Sequence, residues 1–406
     1  MGFLLRSCLE MYRNDVKKIM ARLDSPFFFY DLDFLNSHLK SIRDLCHEDI
    51  RLWYACKANP MSAMLKICRN QGIGIDVASL GELDQALRSG IRPCEMIATG
   101  PAKSLAYMQS LLKNEVEYIV LESLNQAYWL NEAAKGLGVK PKALLRVQLA
   151  WDAGSSVLGG NAITPFGLDP KGWQELDFSR LENVEIIGHH VFQWGNILDL
   201  NKLKEIWWKI AKTVKEMSKQ LNTPFEILDL GGGLGIPYEM DGDSLEFEQV
   251  ANVLHQLKDE FGLAQVWMEL GRYAVGESGL YFSKVIDRKS VRGSDLLVLE
   301  GGINHIARPA LTQQPFPATL FRQSSARPKT FATHGPLCTS LDYLGSFELP
   351  EDIIPGDWLV FAKTGAYGLT EAMPFFLCHN LPAEVIIYNG QVMIPRTSKT
   401  SADWMT

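Results

Sequence analysis

Short apolar, β-branched runs alternate along the chain with amphipathic stretches of helical period. The runs predict strands, and stretches such as Met61–Arg69 and Leu80–Ser89 predict helices between them. The eight strand candidates are, in order, Leu52–Cys56, Ile73–Ala78, Met96–Thr99, Tyr118–Leu121, Ala143–Leu149, Glu185–Val191, Glu226–Leu230 and Val266–Leu270. Repeated strand–helix units predict parallel pairing, and eight of them fit an α/β fold of the (β/α)8 TIM barrel type better than an open doubly wound sheet.

The pattern changes after residue 273, where strands follow one another without clear helices between them. Gly, Pro and Asp turns separate these runs, which predict a C-terminal antiparallel β domain. Phe27–Tyr30 precedes the first barrel helix and is expected to join that sheet. The expected organisation is a barrel over residues 31–273 and a discontinuous β domain over residues 1–30 and 274–406. The strand candidates of the second domain are Leu280–Ile286, Leu296–Leu299, Trp358–Phe361 and Val385–Tyr388.

The composition indicates an ordinary globular chain that is large enough for two domains. Of its 406 residues, 47% are hydrophobic and 21% charged, and 40 Lys and Arg against 47 Asp and Glu give a net charge of −7. The basic residues are scattered singly, so we expect no nucleic-acid partner and no membrane surface as partner. No apolar run approaches the roughly 20 residues needed to span a bilayer. These features favour chemistry on a small molecule.

The seven cysteines form no CxxC pair and lie near no spaced pair of histidines. An odd number in a long chain does not indicate a disulfide framework, and the spacing does not indicate a zinc site. The apolar patch in Met1–Arg6 is too short for a signal peptide, and Arg6 occupies the hydroxyl position of a myristoylation motif. We therefore expect a cytoplasmic protein without a bound metal.

Lys57 ends the first predicted strand, at the side of a TIM barrel where chemistry collects. The period of two puts it on the face of Trp53 and Ala55. If that face lines the barrel, Lys57 is a buried amine; burial disfavours the ammonium form, and a neutral amine can form a Schiff base with a carbonyl group. The alternative is a strand-end lysine whose amine reaches solvent.

Three glycines, Gly231, Gly232 and Gly233, follow the seventh predicted strand. They offer successive backbone N–H groups without Cβ obstruction, as phosphate binding requires. Ile236 occupies the last glycine position of a dinucleotide-binding motif, and no GK[ST] follows, which argues against a nucleoside triphosphate. A tight turn without a ligand is the alternative.

Glu269 shares a strand face with Trp267, and Arg272 follows at the loop. An inward carboxylate and an arginine at the rim suit a ligand with a basic ring nitrogen and a phosphate, with a surface ion pair as the alternative. His190, beside His189 in the sixth strand, is either a core residue or a catalyst. Together with the lysine and the glycine turn, these groups meet the needs of pyridoxal 5′-phosphate.

Three motifs resemble the alanine-racemase-like pyridoxal-phosphate enzymes, in the branch of ornithine, arginine and diaminopimelate decarboxylases. Tyr54–Asn59 resembles the cofactor-lysine motif, Asp76–Glu82 the motif of the second strand, and Gly335–Asp342 the motif that a partner subunit contributes. The resemblance covers nearly the whole chain, from Phe28 to Gly368. It implies a pyridoxal-phosphate-dependent carboxy-lyase that acts as a homodimer.

The resemblance implies a role for each matching residue. Lys57 would hold the cofactor covalently, His190 would stack on its pyridine ring, and Glu269 would keep the ring nitrogen protonated. Cys338 would reach across a dimer interface and return a proton to Cα as general acid. The other residues implied to bind the cofactor are Asp76, Gly231, Gly232, Gly233, Gly271, Arg272 and Tyr367.

One departure from the family pattern and one match to it concern the substrate. Thr339 follows Cys338, where ornithine and diaminopimelate enzymes typically have an acidic residue that contacts a distal ammonium group. Gly301–Pro309 resembles the diaminopimelate-type segment whose arginine grips a distal carboxylate, which puts Arg308 in that role. The other residues of the implied substrate-binding set are Asp342 and Gln193.

The implied substrate is an α-amino acid with a remote carboxylate and no remote ammonium group. In this respect the chain is most similar to decarboxylases of carboxylate siderophore pathways, such as the one acting on citryl-diaminopropionate in staphyloferrin B biosynthesis. The alternatives are decarboxylation of meso-diaminopimelate for lysine synthesis and decarboxylation of a carrier-protein-bound amino acid. A racemase is disfavoured, since those enzymes usually place an arginine near the pyridine nitrogen. Lys57 and Cys338 argue against an inactive regulatory homologue.

Overall fold

A computed structural model describes the chain in six segments, residues 12–23, 26–151, 155–156, 159–160, 163–240 and 242–405. The amino-terminal patch considered above for targeting lies outside these residues. None of the helices in the described segments has both the length and the apolar character of a membrane span. The chain divides into two compact units. One comprises Asn36–Ile236 and Ser244–Ala274, and the other comprises Met1–Leu35, Pro237–Asp243 and Val275–Thr406.

The first unit contains a closed barrel of eight parallel strands, which confirms the predicted TIM barrel. The strands are Ile50–Ala55, Gly74–Val77, Met96–Ala98, Tyr118–Leu121, Lys142–Arg146, Glu185–His190, Ile227–Asp229 and Gln265–Leu270. The helices that follow them, in the same order, are Ser62–Asn70, Leu80–Arg88, Leu105–Lys113, Leu124–Leu137, Pro170–Gln174, Leu200–Leu221, Phe247–Phe261 and Arg272–Val275. The fifth strand ends at Arg146, three residues earlier than predicted.

Aromatic side chains fill the lumen of the barrel. Trp53, Tyr118 and Trp267 make edge-to-face ring contacts with one another, with ring centroids 5.1–5.8 Å apart. The guanidinium carbon of Arg51 lies 4.2 Å from the ring centroid of Trp53 and 4.5 Å from that of Tyr118. Because this end of the lumen is packed, the polar groups of the barrel collect at the carboxyl ends of the strands.

The second unit contains a nine-stranded sheet that includes the amino-terminal strand Phe27–Asp31. This strand pairs antiparallel with Gly279–Val291, so the expectation that it joins the second sheet is confirmed. The sheet is mostly antiparallel, but Phe27–Asp31 pairs in parallel with Ala383–Tyr388, and one further pair is parallel. The other strands are Ser294–Leu299, Ala318–Leu320, Pro328–His334, Tyr343–Pro350, Trp358–Ala362 and Gln391–Arg396. Helices Arg13–Leu23, Leu32–Asp44 and Arg308–Thr312 complete the α-helices of the described residues.

Candidate active site

Lys57 lies just beyond the first barrel strand. The strand ends at Ala55, and one 3-10 turn, Cys56–Ala58, carries Lys57 past its end. Trp53 lies in the lumen, but the Lys57 side chain is 46% exposed, so of the two alternatives the structure favours a lysine at the strand end whose amine reaches solvent. Its Nζ lies 3.5 Å from a carboxylate oxygen of Asp76. The amine is therefore accessible to a small molecule and is held beside an acid.

Asp76, at the end of the second barrel strand, is almost fully buried. Its Oδ1 accepts a hydrogen bond of 2.6 Å from the Thr99 hydroxyl, and its Oδ2 is the atom close to Lys57. Burial and then the charge of Glu269 raise the pKa of Asp76 to about 6, against the opposite effects of Lys57 and Thr99. This carboxyl group therefore titrates close to neutral pH.

His190 and Glu269 form a buried pair between the sixth and eighth strands. His190 Nε2 lies 3.0 Å from Glu269 Oε1. Burial by itself favours the neutral imidazole, but the carboxylates of Glu269 and Asp229 outweigh it and raise the pKa of His190. Burial would likewise raise the pKa of Glu269, yet the charge and hydrogen bond of His190 lower it to about 2. Both shifts favour an imidazolium paired with an ionised carboxylate.

Asp229 is a buried acid that the sequence analysis did not single out. It ends the seventh barrel strand, and its Oδ1 accepts a 2.8 Å hydrogen bond from the Gly231 N–H. A carboxylate oxygen of Asp229, a ring nitrogen of His190 and a carboxylate oxygen of Glu269 all lie within 4.8 Å of one another. The available signal was its place, since Asp229 directly follows two apolar residues and stands two positions before the glycine turn.

A second buried network was also missed, and it lies at the ends of the third to fifth strands. Arg146 Nη1 donates to Glu122 Oε1 at 2.9 Å, and the other oxygen of Glu122 accepts the Gly167 N–H at 2.9 Å. Lys103 Nζ lies 3.9 Å from Glu122, and burial lowers the pKa of Lys103 to about 8. Arg146 pairs in register with His190 on the neighbouring strand, so this network adjoins the imidazolium pair.

The glycine turn after the seventh strand has no space for side chains. A Cβ on Gly231 would lie 2.8 Å from a Phe192 carbon, one on Gly232 would lie 2.9 Å from a backbone oxygen of Glu269, and one on Gly233 would lie 2.6 Å from a backbone oxygen. Gly231 and Gly233 also have φ values of +62° and +123°, which favour glycine. The turn therefore presents bare backbone, as a phosphate site requires.

Three further predicted residues of the barrel unit lie at its strand ends. Gly271 and Arg272 follow the eighth strand and are half-buried, with Arg272 at the start of helix Arg272–Val275. Gln193 is buried after the sixth strand, where its amide donates to the backbone oxygen of Leu149 at 3.3 Å. The barrel unit thus collects Lys57 and every predicted cofactor-binding residue except one.

Arg308, in the sheet unit, is buried at the start of a short helix. Its guanidinium donates to Gln314 Oε1 at 2.8 Å, and its guanidinium carbon lies 4.2 Å from the ring centroid of Tyr238. The hydrogen bond from one guanidinium nitrogen and the stacking on a ring together restrict the orientation of the guanidinium plane. The side chain is therefore held in a defined orientation.

Cys338 and Thr339 lie in the loop between strands Pro328–His334 and Tyr343–Pro350. Cys338 is exposed, whereas Thr339 is half-buried. Asp342, in the same loop, is almost fully buried, and its two oxygens accept the N–H groups of Ile303 and Leu337. Both carboxylate oxygens of Asp342 thus accept hydrogen bonds from backbone N–H groups of the sheet unit.

Tyr367 is the predicted phosphate residue outside the barrel unit. It is half-buried in the sheet unit and has a φ of +55°. A bulky residue rarely adopts this left-handed conformation, which costs free energy and is concentrated at functional sites.

The comparison with known families decides the identity. Residues 32–276 match the pyridoxal binding domain of the pyridoxal-dependent decarboxylases. The chain belongs to this family. It is accordingly a pyridoxal-phosphate-dependent amino-acid decarboxylase, a carboxy-lyase.

Curated relatives match this decarboxylase over almost its whole length. It is 26% identical to the L-glutamyl-[BtrI acyl-carrier protein] decarboxylase of Niallia circulans, over 97% of this chain and 96% of the relative. It is 27% identical to the diaminopimelate decarboxylase of Aquifex aeolicus, over 94% and 91% of the two chains. The crystal structure of diaminopimelate decarboxylase from Helicobacter pylori complexed with L-lysine shares the fold, with a TM-score of 0.85 at 23% identity over 96% and 98%.

The residues at the barrel strand ends fit the cofactor of this family. Glu269 offers an ionised, buried carboxylate, which is what a protonated pyridine nitrogen requires. His190 Nδ1 is buried without a hydrogen-bond partner among the described residues, so this polar atom is available to a bound group. The glycine turn fits a phosphate, and the half-exposed Lys57 amine fits an aldehyde.

Proposed function

We propose that this decarboxylase acts on an α-amino acid with a distal carboxylate, and that a citrate-conjugated siderophore intermediate such as citryl-diaminopropionate is its substrate. Arg308 carries the proposal. Its guanidinium is buried and held by Gln314 and the Tyr238 ring, so it is oriented before any ligand binds. An oriented guanidinium suits bidentate recognition of a carboxylate.

Thr339 supports the same substrate class. Its backbone oxygen accepts the N–H of Asp342, and its hydroxyl accepts the N–H of Leu341 at 3.2 Å, so it is part of the turn that presents Cys338. A threonine at this place offers no charge to a distal ammonium group. A substrate whose remote end is a carboxylate needs no such charge.

The site geometry supports the proposed cofactor roles. When bound, pyridoxal phosphate supplies an electron sink for the electron pair that stays on Cα when CO2 leaves. Lys57 holds the cofactor covalently, Glu269 keeps its ring nitrogen protonated, and His190 lies against the ring. Asp76 lies beside the Lys57 amine at 3.5 Å and can exchange a proton with it. The proposed phosphate-binding residues are Gly231, Gly232, Gly233, Gly271, Arg272 and Tyr367.

Cys338 is proposed as the general acid that delivers a proton from its Sγ to the Cα of the product. In the chain its side chain is exposed, as expected for a residue that a homodimer brings to the partner's site. Leu341 and Tyr343 on the same loop are large apolar side chains with exposures of 60% and 41%. Such exposed residues are typical of an interaction surface. We therefore propose a homodimer with two shared active sites.

Decarboxylation of a carrier-protein-bound amino acid is the second candidate. The full-length similarity to a decarboxylase named for a glutamyl-carrier protein favours it. Thr339 fits this substrate too. Decarboxylation of meso-diaminopimelate, the activity in the names of other relatives, is the third candidate, and Thr339 argues against it.

The discriminating experiment measures CO2 release from citryl-diaminopropionate, meso-diaminopimelate, ornithine and a glutamyl-carrier protein in parallel. Turnover of the citrate conjugate alone supports the proposal. Loss of that turnover in the Arg308→Gln variant supports Arg308 as the residue that binds the distal carboxylate. Arg327→Gln is the matched control, because Arg327 belongs to the same unit and its side chain is 85% exposed. Preference for meso-diaminopimelate or for the carrier protein would contradict the proposal and select the corresponding alternative.

The shared-site proposal has its own test. Lys57→Ala and Cys338→Ala dimers are each expected to be inactive, whereas a mixture that exchanges subunits contains hybrid dimers with one intact site. Random exchange predicts recovery of about a quarter of the wild-type activity. A mixture that stays inactive although subunits have exchanged would contradict a shared site.

A further inference from the structure

Three ionisable side chains share one buried position at the ends of the sixth, seventh and eighth strands. All three are buried: His190 is 1% exposed, Asp229 0% and Glu269 7%. One side-chain nitrogen or oxygen from each lies within 4.8 Å of those of the other two. Two carboxyl groups and one imidazole therefore face each other away from water. Two buried carboxyl groups at this separation cannot both be ionised without a large cost in electrostatic free energy.

The hydrogen bonds decide which carboxyl group keeps the negative charge. Glu269 Oε1 lies 3.0 Å from Nε2 of His190, whose raised pKa favours the protonated, donating form. Asp229 has only the neutral Gly231 N–H on Oδ1, and its Oδ2 has no hydrogen-bond partner among the described residues. An ionised Asp229 would therefore leave a buried charge with one weak donor.

We propose that Asp229 is a positioning residue that works as a neutral carboxylic acid, holding the glycine turn with Oδ1 and leaving Glu269 as the one anion of the cluster. The inference rests on cofactor binding and does not depend on which amino acid is the substrate. A neutral Asp229 directs the negative charge to Glu269, the residue proposed to face the ring nitrogen. Through Gly231 the same side chain fixes the start of the phosphate-binding turn.

The surrounding charges agree with this assignment. Burial first, and then the charges of Glu269 and Asp76, raise the pKa of Asp229 to about 7, against the opposing effect of His190. Lys57, just beyond the first strand, and Arg146, at the end of the fifth, both lower the pKa of Glu269. The positive charges of the site thus favour ionisation of Glu269, while the negative ones favour protonation of Asp229.

The experiment compares Asp229→Asn with Asp229→Ala in apoprotein and reconstituted enzyme. Asparagine keeps the shape, accepts the Gly231 N–H and is neutral. We expect it to bind pyridoxal phosphate within about threefold of wild type, whereas alanine loses at least about tenfold in affinity, measured by fluorescence titration. The infrared difference between wild-type and Asp229→Asn apoprotein at pH 6 is expected to contain a band of a protonated carboxylic acid that the substitution removes, separate from the contribution of Asp76, which both proteins share. The visible band of the bound cofactor gives a further readout that is independent of substrate.

The pH dependence of stability provides a second readout. Asp229 holds its proton up to about pH 7 when folded but only to about 3.8 when unfolded, so this group makes the free energy of unfolding fall as pH rises between these values. Asparagine does not titrate, so the Tm of Asp229→Asn relative to wild type should rise over this interval. The proposal would be overturned if asparagine damaged cofactor affinity as much as alanine does, or if the carboxylic-acid band had equal intensity in wild type and Asp229→Asn. Either outcome would overturn it even if every substrate assignment held. If alanine fails to fold, the infrared and Tm comparisons with asparagine still decide.

Discussion

The Ile303 N–H donates a 2.8 Å hydrogen bond to Oδ1 of Asp342. The other oxygen, Oδ2, accepts the Leu337 N–H at 2.7 Å. One buried carboxylate therefore joins the segment that leads to Arg308 with the loop that carries Cys338. The proposed substrate anchor and the proposed general acid share this attachment, although 30 residues of sequence separate them.

Asp342→Asn should weaken this attachment, because an amide nitrogen cannot accept a backbone N–H. We expect a loss of about 1–3 kcal/mol in the free energy of unfolding, together with a lower kcat. Urea denaturation and CO2 release measure the two effects. Asp352→Asn is the matched control, since Asp352 is exposed and solvent screens its pair with Arg322, so the free energy of unfolding should hardly change. Equal effects of the two substitutions would contradict the assigned role of Asp342.

Lys57→Ala should abolish the visible absorption of the bound cofactor, because that absorption depends on the covalent attachment that is assigned to the Lys57 amine. Activity should fall by at least about 100-fold. Absorption spectra of the reconstituted proteins test this directly. Lys66→Ala, an exposed lysine of the next helix, should leave colour and activity unchanged. A coloured, active Lys57→Ala enzyme would refute the assignment of the cofactor lysine.

Glu122→Gln should leave the buried cations Arg146 and Lys103 without their anion. Removing one member of a buried ion network costs about 3–5 kcal/mol, so a large fall in the free energy of unfolding is expected. Glu117→Gln is the control, because Glu117 pairs with Lys142 at 2.7 Å while both side chains are more than a third exposed. That change should cost about 1 kcal/mol or less in the same denaturation experiment. A small effect of Glu122→Gln would show that the network is not held by charge.

Thr339→Asp should shift specificity towards substrates with a distal ammonium group. The new carboxylate would stand next to Cys338, so the ratio of kcat/KM for meso-diaminopimelate to that for the citrate conjugate should rise by about tenfold or more. Ser340→Asp, at the exposed neighbouring position, supplies the same charge as a control. The proposal for Thr339 fails if both substitutions change the ratio alike.

The sequence by itself determined the barrel and its reactive strand ends. The eight βα units, and the placement of Lys57, His190 and Glu269 at or near strand ends, were all predicted and were found. Strand periodicity and the succession of strand and helix are local properties, so the order of residues encodes them. The family resemblance rested on local motifs for the same reason.

The tertiary structure alone decided which charged groups meet. Two examples are the Arg146–Glu122–Lys103 network and the approach of Asp229 to Glu269. Each joins residues from different strand ends, and no spacing of residues along the chain predicts these contacts. The exposure of Lys57 depended on a 3-10 turn at residue 56, which ends the strand's alternation one residue before the lysine. A protonation state or a hydrogen-bond partner is fixed by neighbours in space and by burial, and the fold brings both about only when the barrel closes.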